Sequence, residues 1–174
     1  MNNGNTHRIA EVVDEIQFLK SQNTLVKKWQ KFIAHKEARQ RVTHHDTKIS
    51  NVLFDENNKG ICVIDLDTVM PGYYISDVGD MLRTYICPFS EEEKDPDKIT
   101  VRKEFVQAIQ QGYFAQMQNN LSAYEQDHFY FSGEFIIYMQ ALRFLTDYLN
   151  NDAYYGRKYE THNWVRAKNQ VQLL

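Results

Sequence analysis

The chain has 174 residues, 43% of them apolar, with 20 Lys plus Arg against 23 Asp plus Glu and a formal charge of -3. That length suffices for one domain burying roughly 70% of its unfolded surface, and basic residues spread without a stripe argue against a nucleic-acid partner. Met1 to Lys20 is too polar for a secretory signal, no apolar run approaches the roughly 18 residues of a membrane helix, and two cysteines are too few for a disulfide framework or a zinc site. Cys62 and Cys87 therefore read as reduced core residues, and the expectation is a cytoplasmic protein without membrane contact.

In chain order, Ile9, Val12, Val13, Ile16 and Leu19, then Leu25, Val26, Trp29, Phe32 and Ile33, recur at helical spacing from His7 to about Glu37, with "SQNT" dividing the stretch. The period then changes. "NVLF" and "ICVIDL" are short β-rich runs joined by "DENNKG", whose Asn and Gly suit a tight turn, so a hairpin is predicted over about 51–66. No strand pattern precedes Asn51, and Pro71 and Gly72 read as loop. A helix follows over about 76–85, and "PFSEEEKDPDK" reads as a solvated acidic loop. Beyond it the chain reads as all helix: residues 101–120, a capping box in "SAYE" at Ser122 to Glu125, one or two helices ending near Asn150, and a last helix from near Thr161. The fold class is mainly α, with an α+β element: a helical bundle interrupted by one hairpin, divided into a helical lead-in (1–40), a polar loop with the hairpin (41–72) and a helical part (73–174).

Polar residues gather at both ends of that hairpin. In "HHDTKISN" and "VIDLD", Asp46 and Asn51 share the loop entering the hairpin and Asp65 ends the return strand, so all three can converge on one point. Phosphoryl transfer needs a carboxylate to orient or deprotonate the attacking hydroxyl and oxygen ligands to hold magnesium against nucleotide phosphates. These three residues provide that set, and position and charge would supply most of the rate.

His, any residue, Asp, four residues, Asn, and then Ile-Asp after a strand resembles the catalytic core of the aminoglycoside phosphotransferase and choline kinase superfamily. "VTHHDTKISNVLFDE", "CVIDLDTVMPG", "DVGDMLR", "ALRFLTDYL" and "HNWVRAKNQVQLL" are similar, in that order, to the branch of bacterial N-acetylhexosamine 1-kinases, over about residues 9–174. The resemblance implies a protein kinase-like C-terminal lobe using ATP and Mg2+ to phosphorylate a small-molecule hydroxyl, the anomeric hydroxyl of an N-acetylhexosamine in this branch. It implies Asp46 as catalytic base, Asn51 and Asp65 as magnesium ligands, His44 as a brace of the loop and Lys48 as a cation near the transferred phosphoryl. Asp67 either reaches a second metal or caps the loop before Pro71. Arg143 is the candidate sugar-binding residue, since Arg donates well to hydroxyl and acetamido oxygens, and Tyr154, Tyr155 and Trp164 either stack on a sugar or belong to the core. Asp77, Asp80 and Arg83 read as structural, with the acids favouring a helix start through its dipole. His45 and Asp55 receive no chemical role.

Kinases of this type have an N-terminal lobe that covers the nucleotide. The seven glycines never form a GxGxxG, so the sequence resembles the C-terminal lobe alone. The expectation is that the isolated chain is catalytically silent or nearly so, that its missing partner is the N-terminal lobe of the same protein, and that apolar surface near the hairpin drives homodimerisation. Two other readings compete. A helical metal-dependent phosphohydrolase would use the His-Asp dipeptide of "HHD", with His7 and His35 upstream. A non-catalytic sugar-binding or interaction remnant would keep the fold alone.

Overall fold

Helical periodicity over the first forty residues becomes three short helices: α1 (Thr6–Glu11), α2 (Val13–Ser21) and α3 (Asn23–Ala34). The computed structural model describes residues 5–174, and residues 1–4 of the expected lead-in lie outside the described residues. The chain breaks at Gln22, inside "SQNT", and also at Val12, whose φ of -117° leaves the helical region while its side chain is fully buried. Asn5 caps α1 by accepting from the His7 N–H, the usual work of an N-cap amide.

Two antiparallel pairs follow. The hairpin forms as β2 (Val52–Phe54) and β3 (Gly60–Val63), with Val52 opposite Val63 and Leu53 opposite Cys62. Asp55 closes its turn by accepting the N–H groups of Asn57 and Lys59, each at 2.9 Å, and Asn58 takes the left-handed turn position at φ 60°. Two residues of β2 and all of β3 are exposed, Cys62 among them, so that cysteine is not a core residue; Cys87 is buried.

The second pair corrects the sequence reading. Gln40–Thr43 forms a strand before Asn51, and Met70–Tyr73, read as loop, pairs with it with Arg41 opposite Gly72 and Thr43 opposite Met70. We label the first strand β1 and the second β4. Pro71 is tolerated because this ribbon has only two strands, so a missing donor faces no third neighbour.

From β4 the chain passes into α4 (Tyr74–Tyr85), then α5 (Lys103–Met117), the single turn α6 (Ala123–Gln126), the long α7 (Phe129–Leu149) and α8 (His162–Leu173). The predicted capping box is present: Ser122 Oγ accepts from the Glu125 N–H and Glu125 accepts from the Ser122 N–H. Helix α7 carries both cores. Its first half packs Phe129, Phe131 and Phe135 with Phe32 and α4, and its second half packs Ala141, Phe144 and Tyr148 with Val12, Leu19 and Ala167. Gly79 lets α4 lie against α7, since a Cβ there would collide with Ile136 and the Ser132 carbonyl. Among the described residues, no helix is long and apolar enough to cross a membrane.

Candidate active site

Strand β1 ends at Thr43, and the loop beyond it is fastened on two sides. Asp77, in the first turn of α4, accepts the His44 N–H at 3.0 and 3.1 Å and the His45 N–H at 2.8 Å. His44 works in the other direction: its Nδ1 accepts the Asp46 N–H at 3.3 Å, so Nε2 carries the proton given to the Ile64 carbonyl at 3.0 Å. The Thr68 hydroxyl donates to the His44 carbonyl at 2.6 Å. The loop is thereby tied to the end of the hairpin and to the start of α4.

On that frame Asp46, Lys48, Asn51 and Asp65 come together. Lys48 Nζ lies 2.7 Å from Asp46 Oδ2 and 4.0 Å from Asp65 Oδ2, between the two carboxylates. The buried Asn51 amide donates to the Asp46 carbonyl and to Asp46 Oδ2, each at 2.9 Å. Burial pushes the Asp46 carboxyl up, but the Lys48 and Asn51 hydrogen bonds outweigh it and the net displacement is below the ordinary 3.8. The Asp46 carboxylate in turn holds the Lys48 ammonium above 10.5. Asp65 sits in left-handed backbone at φ 64°, a conformation Asp accepts more readily than most residues. Asp67, in the short 3-10 turn Leu66–Thr68, is exposed and makes no hydrogen bond or ion pair with this group.

A cavity of about 740 Å³ opens beside Asp46 and Lys48 and reaches Gln140, Arg143 and Tyr155 on the far side. Its volume is in the range of small-molecule sites. Arg143 donates to Gln140 at 3.3 Å and its guanidinium stands 5.3 Å from the Tyr155 ring centre. Tyr154 does not line the cavity: it is 76% exposed, and its neighbour Tyr155 holds the wall. Trp164 belongs to the second core, stacked on Tyr148 at 5.8 Å with its N–H on Glu15.

Four charges in the wall form a chain. Arg83 donates to Asp80 Oδ1 at 2.9 and 3.1 Å and to Glu91 at 2.9 Å, and Glu91 also accepts from Arg166, whose guanidinium lies 3.7 Å over Phe144. Asp80 is buried, and burial pushes its carboxyl up with Arg83 offsetting part of that rise. The acidic run is therefore not a freely solvated loop: Glu91 is clasped by two arginines, and Glu92 meets Lys158 at 2.5 Å.

Oxygen donors suited to a hard cation are present. Asn51 gives its NH2 to Asp46, which leaves Oδ1 available, and the Asp65 carboxylate is exposed with Lys48 4.0 Å away. Magnesium is usually held by one or two such oxygens together with phosphates and water, and this pair fits that role. Among the described residues no group of three His, Cys, Asp or Glu is gathered as a metal cage. The imidazoles that a two-metal hydrolase would use are placed elsewhere: both nitrogens of His44 and of His45 are hydrogen-bonded within the loop frame, His35 stacks on Tyr124 at 3.8 Å, and His7 lies beside Glu11 on α1. The model of the phosphotransferase enzyme family matches residues 5–125, a span holding Asp46, Lys48, Asn51 and Asp65 but not Arg143 or Tyr155.

Proposed function

We propose, from the premise that this chain belongs to the phosphotransferase enzyme family and has a mainly-α, kinase-like fold, that it transfers the γ-phosphoryl group of ATP to a hydroxyl of a small neutral sugar. The N-acetylhexosamine resemblance makes the anomeric hydroxyl of such a sugar the acceptor. The observation that carries the reading is the convergence of Asp46, Lys48, Asn51 and Asp65 beside a cavity whose far wall is Arg143 and Tyr155.

In this reading the sugar lies in the cavity with one hydroxyl toward Asp46. That oxygen forms the new P–O bond, the bond from phosphorus to the bridging oxygen breaks, ADP leaves, and the hydroxyl proton passes to Asp46. Asp46 first orients the hydroxyl and takes its proton late in the transfer. This suits a loose transition state in which little nucleophile activation is needed. Lys48 exchanges its Asp46 contact for the phosphoryl oxygens and offsets charge building on them. Asn51 and Asp65 would hold a magnesium ion, which supplies charge neutralisation of the nucleotide phosphates when bound. His44 and Asp77 keep the loop from shifting during transfer.

The wall argues for a neutral acceptor. Arg83 and Arg166 are offset by Asp80 and Glu91, while Arg143 has no carboxylate partner among the described residues. A polycationic acceptor would meet an unopposed guanidinium, whereas sugar hydroxyl and acetamido oxygens would meet a donor. Helices α1 to α3 precede β1 among the described residues, and the exposed hairpin face is where we seat the nucleotide and whatever covers it. Turnover by these 174 residues alone is expected to be slow, in a cytosolic setting where ATP is available. The test is long-incubation transfer of labelled phosphate from MgATP to a panel of N-acetylhexosamines, hexoses and aminoglycosides, with ATP binding by calorimetry. Slow transfer to an N-acetylhexosamine, lost in Asp46→Ala with ATP binding kept, is expected. Absence of both transfer and ATP binding at millimolar nucleotide would sink the reading.

A further inference from the structure

His45 immediately precedes Asp46 and stands in left-handed backbone at φ 68°. Few residues other than glycine adopt that conformation, His more often than most, and it persists where the surroundings hold it. The start of α4 and the end of β1 do so here. Asp77 accepts the backbone N–H at 2.8 Å; Ser76 Oγ lies 2.6 Å from Nδ1; Thr43 Oγ1 lies 2.7 Å from Nε2. The hydrogen bonds assign the tautomer. Thr43 gives its hydroxyl hydrogen to the Met70 carbonyl at 3.0 Å, so toward His45 its oxygen accepts, Nε2 carries the ring proton, and Nδ1 accepts from Ser76.

The ring also has a seat cut for it. On β4, a Cβ at Gly72 would stand 2.5 Å from His45 Cε1 and 2.5 Å from Thr43 Oγ1, well inside van der Waals contact. Any other residue at position 72 would displace the imidazole. The same ring borders the cavity alongside Asp46, yet both nitrogens are spent on the frame and neither remains for a ligand.

We propose that His45 is a positioning residue: its imidazole, wedged between β1, β4 and the start of α4 over Gly72, fixes the left-handed turn that aims the Asp46 carboxylate into the cavity. This rests on the reading of Asp46 as the base. The wedge itself is independent of that reading. A turn that needed only backbone freedom would be served by glycine, whereas here a histidine, which enters this region more readily than most side chains, is tied in place through both ring nitrogens. Small displacements of a catalytic group cost rate steeply, about 100-fold for an ångström, so the lock has kinetic value out of proportion to its size.

Three variants separate ring from backbone. His45→Gly accepts the turn without strain but lacks the wedge, His45→Asn tolerates the turn and keeps one polar group for Ser76, and Ser76→Ala removes a single partner while leaving the core intact. If the wedge positions Asp46, His45→Gly lowers kcat by about 10- to 100-fold with KM for ATP within twofold, and His45→Asn and Ser76→Ala fall between it and the wild type. By NMR the wild-type chain shows a slowly exchanging Nε2–H on His45, and the Asp46 amide exchanges at least tenfold faster in His45→Gly. Should His45→Gly fail to fold, Ser76→Ala carries both readouts. A His45→Gly, or in its place a Ser76→Ala, with kcat and Asp46 amide exchange both within twofold of wild type overturns the proposal, as does a wild-type ring that lacks the protected Nε2–H. If the wild-type chain neither transfers phosphate nor binds ATP, the phosphotransfer reading falls, and the ring proton and Asp46 exchange alone decide the wedge.

Discussion

Lys48 offers a sharp way to probe the site, because neutralising it should move two properties in opposite directions. In Lys48→Met the aliphatic stem is kept and the charge between Asp46 and Asp65 is lost. At the 4.0 Å separating Lys48 from Asp65, two unit charges interact by about 1 kcal/mol in water and about 4 kcal/mol at the dielectric of a protein surface. Lys48 is 41% and Asp65 48% exposed, so the lower figure applies. Removing the ammonium should therefore strengthen Mg2+ binding by about fivefold, at tenfold per 1.4 kcal/mol. Turnover should instead fall by about 100- to 1000-fold, the usual consequence of deleting a donor to charge developing in the transition state. Calorimetric Mg2+ titration in the presence of ATP and labelled-phosphate transfer measure the two quantities on one preparation. A kcat within threefold of wild type would return Lys48 to an ordinary solvated lysine, and weaker Mg2+ binding would refute the placement of the ion on Asn51 and Asp65 beside Lys48.

Glu125 gives a stability prediction: it is fully buried, takes both Arg41 Nη atoms at 2.8 and 3.1 Å, and accepts the N–H groups of Arg39 and Ser122, each at 3.0 Å. Burial pushes its carboxyl up, but Arg41 and those two N–H groups outweigh it and the net is below 4.5. A depressed carboxyl stabilises the fold above its unfolded value and loses that contribution as pH falls through the folded one. Glu125→Gln should thus cost about 3–5 kcal/mol at pH 7, lowering Tm by about 6–20 °C, with the gap to wild type closing below about pH 4.5 in thermal melts; a gap independent of pH would refute the charge argument. On the cavity wall, Tyr155→Ala should raise KM for the sugar about five- to tenfold, as expected for loss of an aromatic face worth about 1 kcal/mol, whereas Tyr154→Ala should leave it unchanged. Equal effects of the two in steady-state kinetics would contradict the assignment of the wall to Tyr155.

The helices were legible because their apolar spacing is local: α3, α5, α7 and α8 are each written in residues three and four apart, and "SAYE" announces its own cap. The hairpin was legible for the same reason, from two β-rich runs and the Asn and Gly of the "DENNKG" turn between them. Strands β1 and β4 were not. "QRVT" and "MPGY" carry no alternating apolar pattern, and their status depends on pairing with each other across about thirty residues. The site divides likewise. Spacing brought Asp46, Asn51 and Asp65 into view, since all three flank one hairpin. The Asp80–Arg83–Glu91–Arg166 chain was hidden because its members sit on α4, the acidic run and α8, and a run of Glu carries no mark of which one will meet a partner. His45 was hidden in plain sight: nothing in "HHD" says which imidazole takes a left-handed turn, and the reason it can do so lies at Gly72, on another strand.

The exposed hairpin changes what binding would cost. A ribbon of two strands with water on both faces is marginally stable in isolation, and β3 has no buried residue. A nucleotide laid on that ribbon must therefore order it as well as touch it. Part of the contact energy would be spent on restricting β2 and β3, so the measured affinity would be weaker than the contacts suggest. Whatever restrains the ribbon beforehand would tighten nucleotide binding without making any contact with the nucleotide. In hydrogen exchange, the amides of Leu53 and Cys62 would report that restraint before any change in turnover could be measured.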